Sequence, residues 1–250
     1  MPSKYATFTK PWTRESPEQL GELFKKLGFD AMEFCVREGY QVQPNEADTK
    51  LPAFKDQMKK FGVEVIGIAG PFIEPVFAGC KAAGIPFIRT PLSLDQKLDF
   101  NAAVENAVKK LEPALRLAEK YGVKIGIQNH YGSMINDALG LKFILEKFPK
   151  NLVGAIWDSA SGCLAGEYPE HALSLVIDRL VMVNLKNAYY TPGFERVFCS
   201  GRQGMAKWPV ILPYLKSHGY SGPVCLAHEY TDQDHLLDLL KEDLAYAKSL

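Results

Sequence analysis

Short apolar and β-branched runs alternate along the chain with amphipathic stretches whose apolar positions recur at helical spacing. The runs predict strands over 5–10, 31–37, 63–70, 86–90, 123–130, 152–158, 181–187 and 223–230. The amphipathic stretches predict helices over 17–27, 51–61, 73–83, 100–121, 137–148, 170–179, 208–218 and 235–250. Stop signals agree: Gly28, Gly62, Gly84, Gly122 and Gly219 each follow the last apolar position, where a left-handed cap is needed. Ser16-Pro17 with Gln19 after it reads as an N-cap with proline at the first helical position. Pro113 falls inside the long fourth helix and is expected to kink or split it.

Strands alternating with helices imply a parallel sheet with crossover helices. Two architectures fit, an open doubly wound sheet and a closed barrel. No GxGxxG turn follows the first strand, which weakens the dinucleotide-binding form of the open sheet. Eight units in 250 residues is the usual size of a barrel. No linker or composition break appears. The expectation is an α/β protein, a (β/α)8 TIM barrel forming a single domain over residues 1–250.

Composition narrows the class. Lys plus Arg and Asp plus Glu each number 29, so the net charge is zero, which argues against nucleic acid as a partner. No apolar run approaches the ~20 residues of a membrane span, and the first residues lack the apolar stretch of a signal peptide. Cys35, Cys80, Cys163, Cys199 and Cys225 are odd in number, scattered and free of any CxxC pair. They suit reduced thiols and a cytoplasmic setting rather than a disulfide framework or structural zinc.

Strand alternation then sorts the polar residues. On the fifth strand Val123, Ile125 and Ile127 form a helix-facing stripe, so Gly126, Gln128 and His130 face the barrel interior. The same parity turns inward Glu33 and Arg37 on strand two, Arg89 on strand four and Asp158 on strand six. It also turns inward Asn184 and Lys186 on strand seven and Glu229 on strand eight. On strand one the candidate is Thr9 or Lys10. All lie near the C-terminal strand ends, where barrel enzymes place their chemistry. A purely stabilising network, with Arg37, Arg89 and Lys186 neutralising Glu33, Asp158 and Glu229, is the competing account.

The chemistry follows from the residue types. Gln128, Asp158, Asn184 and Glu229 are oxygen donors suited to Mg2+ or Mn2+. His130 could donate to a hydroxyl or exchange a proton. Lys186, buried among carboxylates, would bind an oxyanion; with a depressed pKa it would instead act as a base or Schiff-base nucleophile. His228 alternates away from Glu229 and is assigned to packing, as is Trp157 beside Asp158. The long loop 188–207 holds Tyr189, Tyr190, Glu195, Arg196 and Arg202, and the loop after strand two holds Tyr40. Such loops suit a clamp on a polyhydroxylated ligand. Glu33, Arg37, Arg89, Tyr40 and Arg202 are therefore the substrate-binding candidates, and Glu229, Lys186 and His130 the catalytic ones.

Several segments resemble the sugar phosphate isomerase/epimerase superfamily of xylose isomerase-like barrels. They are GFDAMEF, GVKIGIQNH, VGAIWDSAS, VNLKNAY and GMAKWPVILPYLKSHGYSGPVCLAHEY. The resemblance covers essentially the whole chain. It implies one divalent metal held by Glu, Asp, His and Glu on strands five to eight, with the two glutamates moving the proton. Asp158 and Glu229 match that pattern. Gln128 stands in place of the first Glu, Asn184 in place of the His, Ser161 where many members have a further His, and Asn187 in place of a frequent Asp. Gln128 cannot be a general base.

The leading reading is an isomerase or epimerase on a sugar or sugar-like polyol ketone, in which Glu229 abstracts an α-proton and a divalent metal (Mn2+ or Mg2+), or Lys186 with His130, stabilises the enediolate. A lyase or dehydratase on a keto-sugar shares the same carbanion, and for it both metal-assisted and metal-independent forms are open. A non-catalytic sugar-binding barrel is the third reading. An abasic-site endonuclease of the same superfamily would need more than the chain's five histidines. The expected partner is a small-molecule carbohydrate, with assembly into a homo-oligomer left open.

Overall fold

The structure is a computed structural model that describes residues 4–250; the first three residues of the expected 1–250 domain lie outside the described residues. Strands β1 (Tyr5–Phe8), β2 (Ala31–Cys35), β3 (Glu64–Ala69), β4 (Phe87–Pro91), β5 (Lys124–Gln128), β6 (Val153–Asp158) and β7 (Leu180–Leu185) follow one another around a closed parallel barrel. An antiparallel hairpin, β8 (Asn187–Tyr190) and β9 (Arg196–Cys199), stands apart from it. Strand β10 (Val224–Leu226) then closes the barrel between β7 and β1.

Helices wrap the outside: α1 (Pro17–Leu27), α2 (Ala47–Lys60), α3 (Glu74–Ala83), α4 (Phe100–Tyr121), α5 (Ala138–Leu145), α6 (Ser159–Leu164), α7 (Pro169–Val176), α8 (Trp208–Ser217) and α9 (Leu236–Lys248). Ser16 caps α1 as expected: its hydroxyl accepts from Gln19 N at 3.2 Å, and the Gln19 side chain accepts from Ser16 N at 2.7 Å. Gly28 ends the same helix at φ 87°, a conformation that a Cβ would strain. Pro113 neither splits α4 nor ends it, since one helix runs from Phe100 to Tyr121. The proline removes a single donor from a long helix whose Ala107, Leu111, Ala114 and Ala118 are buried against the barrel.

Two apolar layers result. The larger lies between strands and helices and includes Ile125, Ile127, Trp157 and Trp208. The smaller fills the barrel itself, with Phe8, Ile66, Phe87, Ile156, Met182 and Cys225. Gly67 lacks a side chain because a Cβ there would meet the Phe87 ring at 2.2 Å. The inner layer is apolar toward the N-terminal end of the strands. Its continuation along the same strand faces, toward the C-terminal end, is Glu33, Arg89, Gln128, Asp158 and Asn184, all buried. All five cysteines are free and buried.

Candidate active site

The strands end earlier than the hydrophobic runs suggest, and this places several candidates on the loops just beyond. β1 stops at Phe8, β5 at Gln128, β7 at Leu185 and β10 at Leu226. Lys10, His130, Lys186 and Glu229 are therefore aimed by loop geometry. Thr9 turns to accept the Cys35 backbone N–H at 2.9 Å, and Lys10 swings over the barrel mouth. This settles the strand-one choice for Lys10.

The polar groups form one continuous chain that runs from the exposed Lys10 at the barrel mouth to the buried Glu33. Lys10 Nζ lies 3.0 Å from Glu229 Oε1, and Lys186 Nζ 3.0 Å from Glu229 Oε2. Lys186 Nζ also lies 2.7 Å from Asp158 Oδ2, to which Gln128 Nε2 donates at 2.8 Å. Arg89 continues the chain, donating to Gln128 Oε1 and Glu33 Oε1, both at 2.5 Å. The guanidinium packs 4.5 Å above the Phe8 ring. Charges alternate along it, which is what allows so many of them in a low-dielectric interior.

Each charge is tuned by its neighbours. Burial works to raise the Glu229 carboxyl, but Lys186 and then Lys10 outweigh it and hold it well below the usual carboxylate range. Burial likewise works against the Lys186 ammonium, and Asp158 and Glu229 overcome it, so Lys186 titrates above an ordinary lysine. Lys186 is thus a fixed cation, in keeping with oxyanion binding rather than a Schiff-base role. Its backbone is clamped too. Ser159 Oγ accepts from Lys186 N at 2.9 Å and donates to Lys186 O at 2.6 Å, while Trp208 Nε1 donates to the same carbonyl at 3.2 Å.

Above the network a cleft of about 480 Å3, within the range of small-molecule sites, is lined by Lys10, Tyr40, Tyr131, Phe198, Glu229 and Gln233 among others. Tyr40 is tied to the Lys10 carbonyl by its hydroxyl at 3.0 Å. Tyr131 and Phe198 pack with ring centroids 4.9 Å apart, and the Lys186 ammonium sits 5.9 Å from each ring. Ser161 sets this wall: its hydroxyl accepts the Tyr131 backbone N–H at 3.1 Å, and its own N–H binds Asp158 Oδ1 at 2.8 Å.

Not every candidate reaches the cleft. Glu33 and Arg89, expected to touch substrate, are 0% and 8% exposed and bind each other, so they support the network from below. Arg202 stacks 3.8 Å over Tyr246 of α9 and is not among the residues that line the cleft, which corrects its expected substrate role. His130 is held by its own loop, with Nδ1 2.8 Å from the Tyr131 carbonyl and its ring stacked on Tyr131. Arg37 is exposed beyond β2, in the loop that carries Tyr40. His228 packs as expected, bonding the Phe8 carbonyl and standing edge-on to Trp12. Strand parity does not decide between Thr9 and Lys10, and it carries no signal for Tyr131 or Phe198; Phe198 sits on β9, within the long 188–207 connection.

The expected metal set can be tested against these bonds. Both Asp158 oxygens accept from protein donors, as do both Glu229 oxygens, and Gln128 Oε1 is taken by Arg89. Of the four expected ligands only Asn184 keeps an unpartnered buried oxygen. Among the described residues no three His, Cys, Asp or Glu side chains converge to hold a metal ion. Gln128, Asp158, Asn184 and Glu229 thus do not fit the divalent cation expected of them.

Residues 22–250 match the family model described as xylose isomerase-like TIM barrel. Similar solved structures include a 3-keto-D-glucoside 4-epimerase from E. coli, 14% identical over 99% of both chains with a TM-score of 0.77. Another is a D-psicose 3-epimerase from Clostridium cellulolyticum H10, 16% identical over 98% of both chains with a TM-score of 0.76. A third is a probable 3-DHS dehydratase from Bacillus anthracis, 13% identical over 98% of both chains with a TM-score of 0.77. At such identities the likeness is one of fold. No curated protein matches the chain by sequence.

Proposed function

The chain belongs to the xylose isomerase-like TIM barrel family, and from that premise we propose that it isomerises or epimerises a sugar or sugar-like polyol ketone through an enediolate. The observation that carries this reading is Glu229. It is the one carboxylate of the polar chain that lines the cleft, with its side chain 25% exposed and two ammonium groups in contact with it. Two of the similar structures are sugar epimerases, which supports a carbohydrate substrate.

The reaction needs a base beside a carbon acid and a cation beside the oxygen that becomes negative. Glu229 takes the proton from the carbon next to the carbonyl, and for it to be basic enough the two ammonium groups that lower its carboxyl must be shared with the oxygens of the bound sugar. The C–H electron pair forms the C=C bond, and the carbonyl electrons move to oxygen. Lys186 has three N–H donors and spends two on Asp158 and Glu229, so the third serves the enediolate oxygen. Return of the proton to the former carbonyl carbon, with the hydroxyl proton passing from one enediolate oxygen to the other, completes an isomerisation; delivery of a proton to the original carbon from the opposite face by a water, with Glu229 giving its own proton back to solvent, completes an epimerisation. Tyr131 and Phe198 offer ring faces to the sugar's C–H groups. Loss of a β-hydroxyl from the same carbanion is the second reading, favoured by the single carboxylate on the cleft.

The test is solvent deuterium exchange at the α-carbon, followed by NMR with a panel of ketohexoses in D2O. Glu229→Gln is expected to lower the exchange rate by about 10²–10⁴-fold with sugar binding retained. Unchanged exchange in the variant would remove Glu229 as the base. Release of an unsaturated product by the wild type would replace isomerisation with elimination.

A further inference from the structure

We propose that the ammonium of Lys186 is the resident cation of this site, seated between Asp158 and Glu229 in the place a divalent metal would need. The proposal concerns the same site as the function above but does not depend on its reaction. Three independent observations carry it.

The first is position. Lys186 Nζ bridges the two anionic members of the expected metal set, at 2.7 Å from Asp158 Oδ2 and 3.0 Å from Glu229 Oε2, with a side chain only 4% exposed. A metal binding both carboxylates through these oxygens would have to displace it.

The second is the sense of the Gln128 amide. Arg89 can only donate, so it fixes Gln128 Oε1 toward itself and leaves Nε2 to face Asp158. The group aimed at the centre is a donor, which repels a cation. A glutamate here would have presented an oxygen instead. The glutamine and the lysine are therefore complementary: each makes the other's role possible.

The third is charge. Asp158 and Glu229 are balanced by Lys186 and Lys10, so the cluster is neutral as it stands. A divalent ion would add two charges beside two ammonium groups. The clamp of Ser159 and Trp208 on the Lys186 backbone keeps the side chain from being set aside cheaply.

The consequence is an electrophile encoded in the chain. The test uses Mn2+ alone, titrated into chelator-treated folded protein and followed by EPR. The wild type is expected to show no stoichiometric site up to about 1 mM Mn2+. Lys186→Met combined with Gln128→Glu and Asn184→His removes the ammonium and adds two hard or borderline donors to Asp158 and Glu229. This variant is expected to bind one Mn2+ at least tenfold more tightly than the wild type. Lys186→Met alone, checked for native circular dichroism, provides a second arm with a smaller gain. A wild-type site of micromolar affinity that disappears in Asp158→Asn overturns the proposal. So does failure of both folded variants to bind Mn2+ better than the wild type. Neither readout requires a substrate, so a wrong assignment of the reaction leaves this result standing.

Discussion

Arg89 holds one positive charge between two buried acceptors, and the cost of losing it falls on its partner. Glu33 is fully buried, and its second carboxylate oxygen already lacks a bond. Burial works against the Arg89 charge, and Glu33 more than restores it. Arg89→Met would leave a buried carboxylate with no cation, a change that typically costs about 3–5 kcal/mol. Urea denaturation should show that loss, and adding Glu33→Gln should recover part of it. A single variant as stable as wild type would mean that water, not Arg89, satisfies Glu33. At this scale the sequence was informative about which residues are inward and less so about what each one does. Parity along a strand is a two-fold pattern, and it identifies Glu33, Arg89, Gln128, Asp158 and Asn184 correctly. It cannot say whether a buried arginine meets substrate or another side chain, because that depends on strands far apart in the chain.

Elements were legible to within a few residues where apolar period and caps agreed, as in α1 and α4. They were less so at the barrel mouth. There the chain leaves the ladder early, and apolar residues continue into loops that pack on the core. The β8–β9 hairpin has no clear signal in the sequence because its strands are four residues each and neither NAYY nor RVFC alternates polar with apolar positions. The turn that follows that hairpin and the loop after β10 are both tied to α9 through one carboxyl. Asp243 accepts from Gly201 N and from Tyr230 Oη, each at 2.8 Å. Burial raises its carboxyl from 3.8 to about 6, against those hydrogen bonds and Arg202, with Glu242 adding to the rise. A raised folded pKa means that the native state keeps a proton the unfolded chain has released. The stability this group contributes is full below about pH 4 and is lost as pH rises through about 6, by at most ~3 kcal/mol. Asp243→Asn does not titrate. Urea midpoints at pH 4 and pH 8 should therefore show the wild type losing ground to Asp243→Asn as pH rises. A gap that ignores pH would mean that the native carboxylate is not destabilised by its burial.

On the scale of the molecule, the barrel separates two jobs along one axis. Its N-terminal half is sealed by Ile66, Phe87, Ile156 and Met182, and its C-terminal half is polar. The family's fold was legible because this division repeats strand after strand, and each repeat adds independent support. The metal was not, because its fate rests on a lysine that the family pattern does not mention and on which way one amide points. Two residues that look like simple losses against the resembled pattern, Gln128 for glutamate and Asn184 for histidine, lie on the strands flanking Asp158, which holds the chain's own cation, Lys186. The overall charge of zero is matched by the formal neutrality of the cluster, in which Asp158 and Glu229 are balanced by Lys186 and Lys10.

Asp158 and Ser159 are adjacent in the chain, yet between them they grip both ends of one residue just beyond the end of the next barrel strand, β7. Asp158 takes the Lys186 ammonium, and Ser159 takes its backbone N–H and carbonyl. The joint between two barrel staves is thus riveted by a dipeptide, apart from the ladder that pairs them. Thermal breathing that parts β6 from β7 must break the rivet before it can tilt the ammonium. The Lys186 amide should accordingly rank among the slowest in the chain to exchange with D2O, and Ser159→Ala should hasten it selectively. Rapid exchange at Lys186 in the wild type would mean that the joint yields on its own.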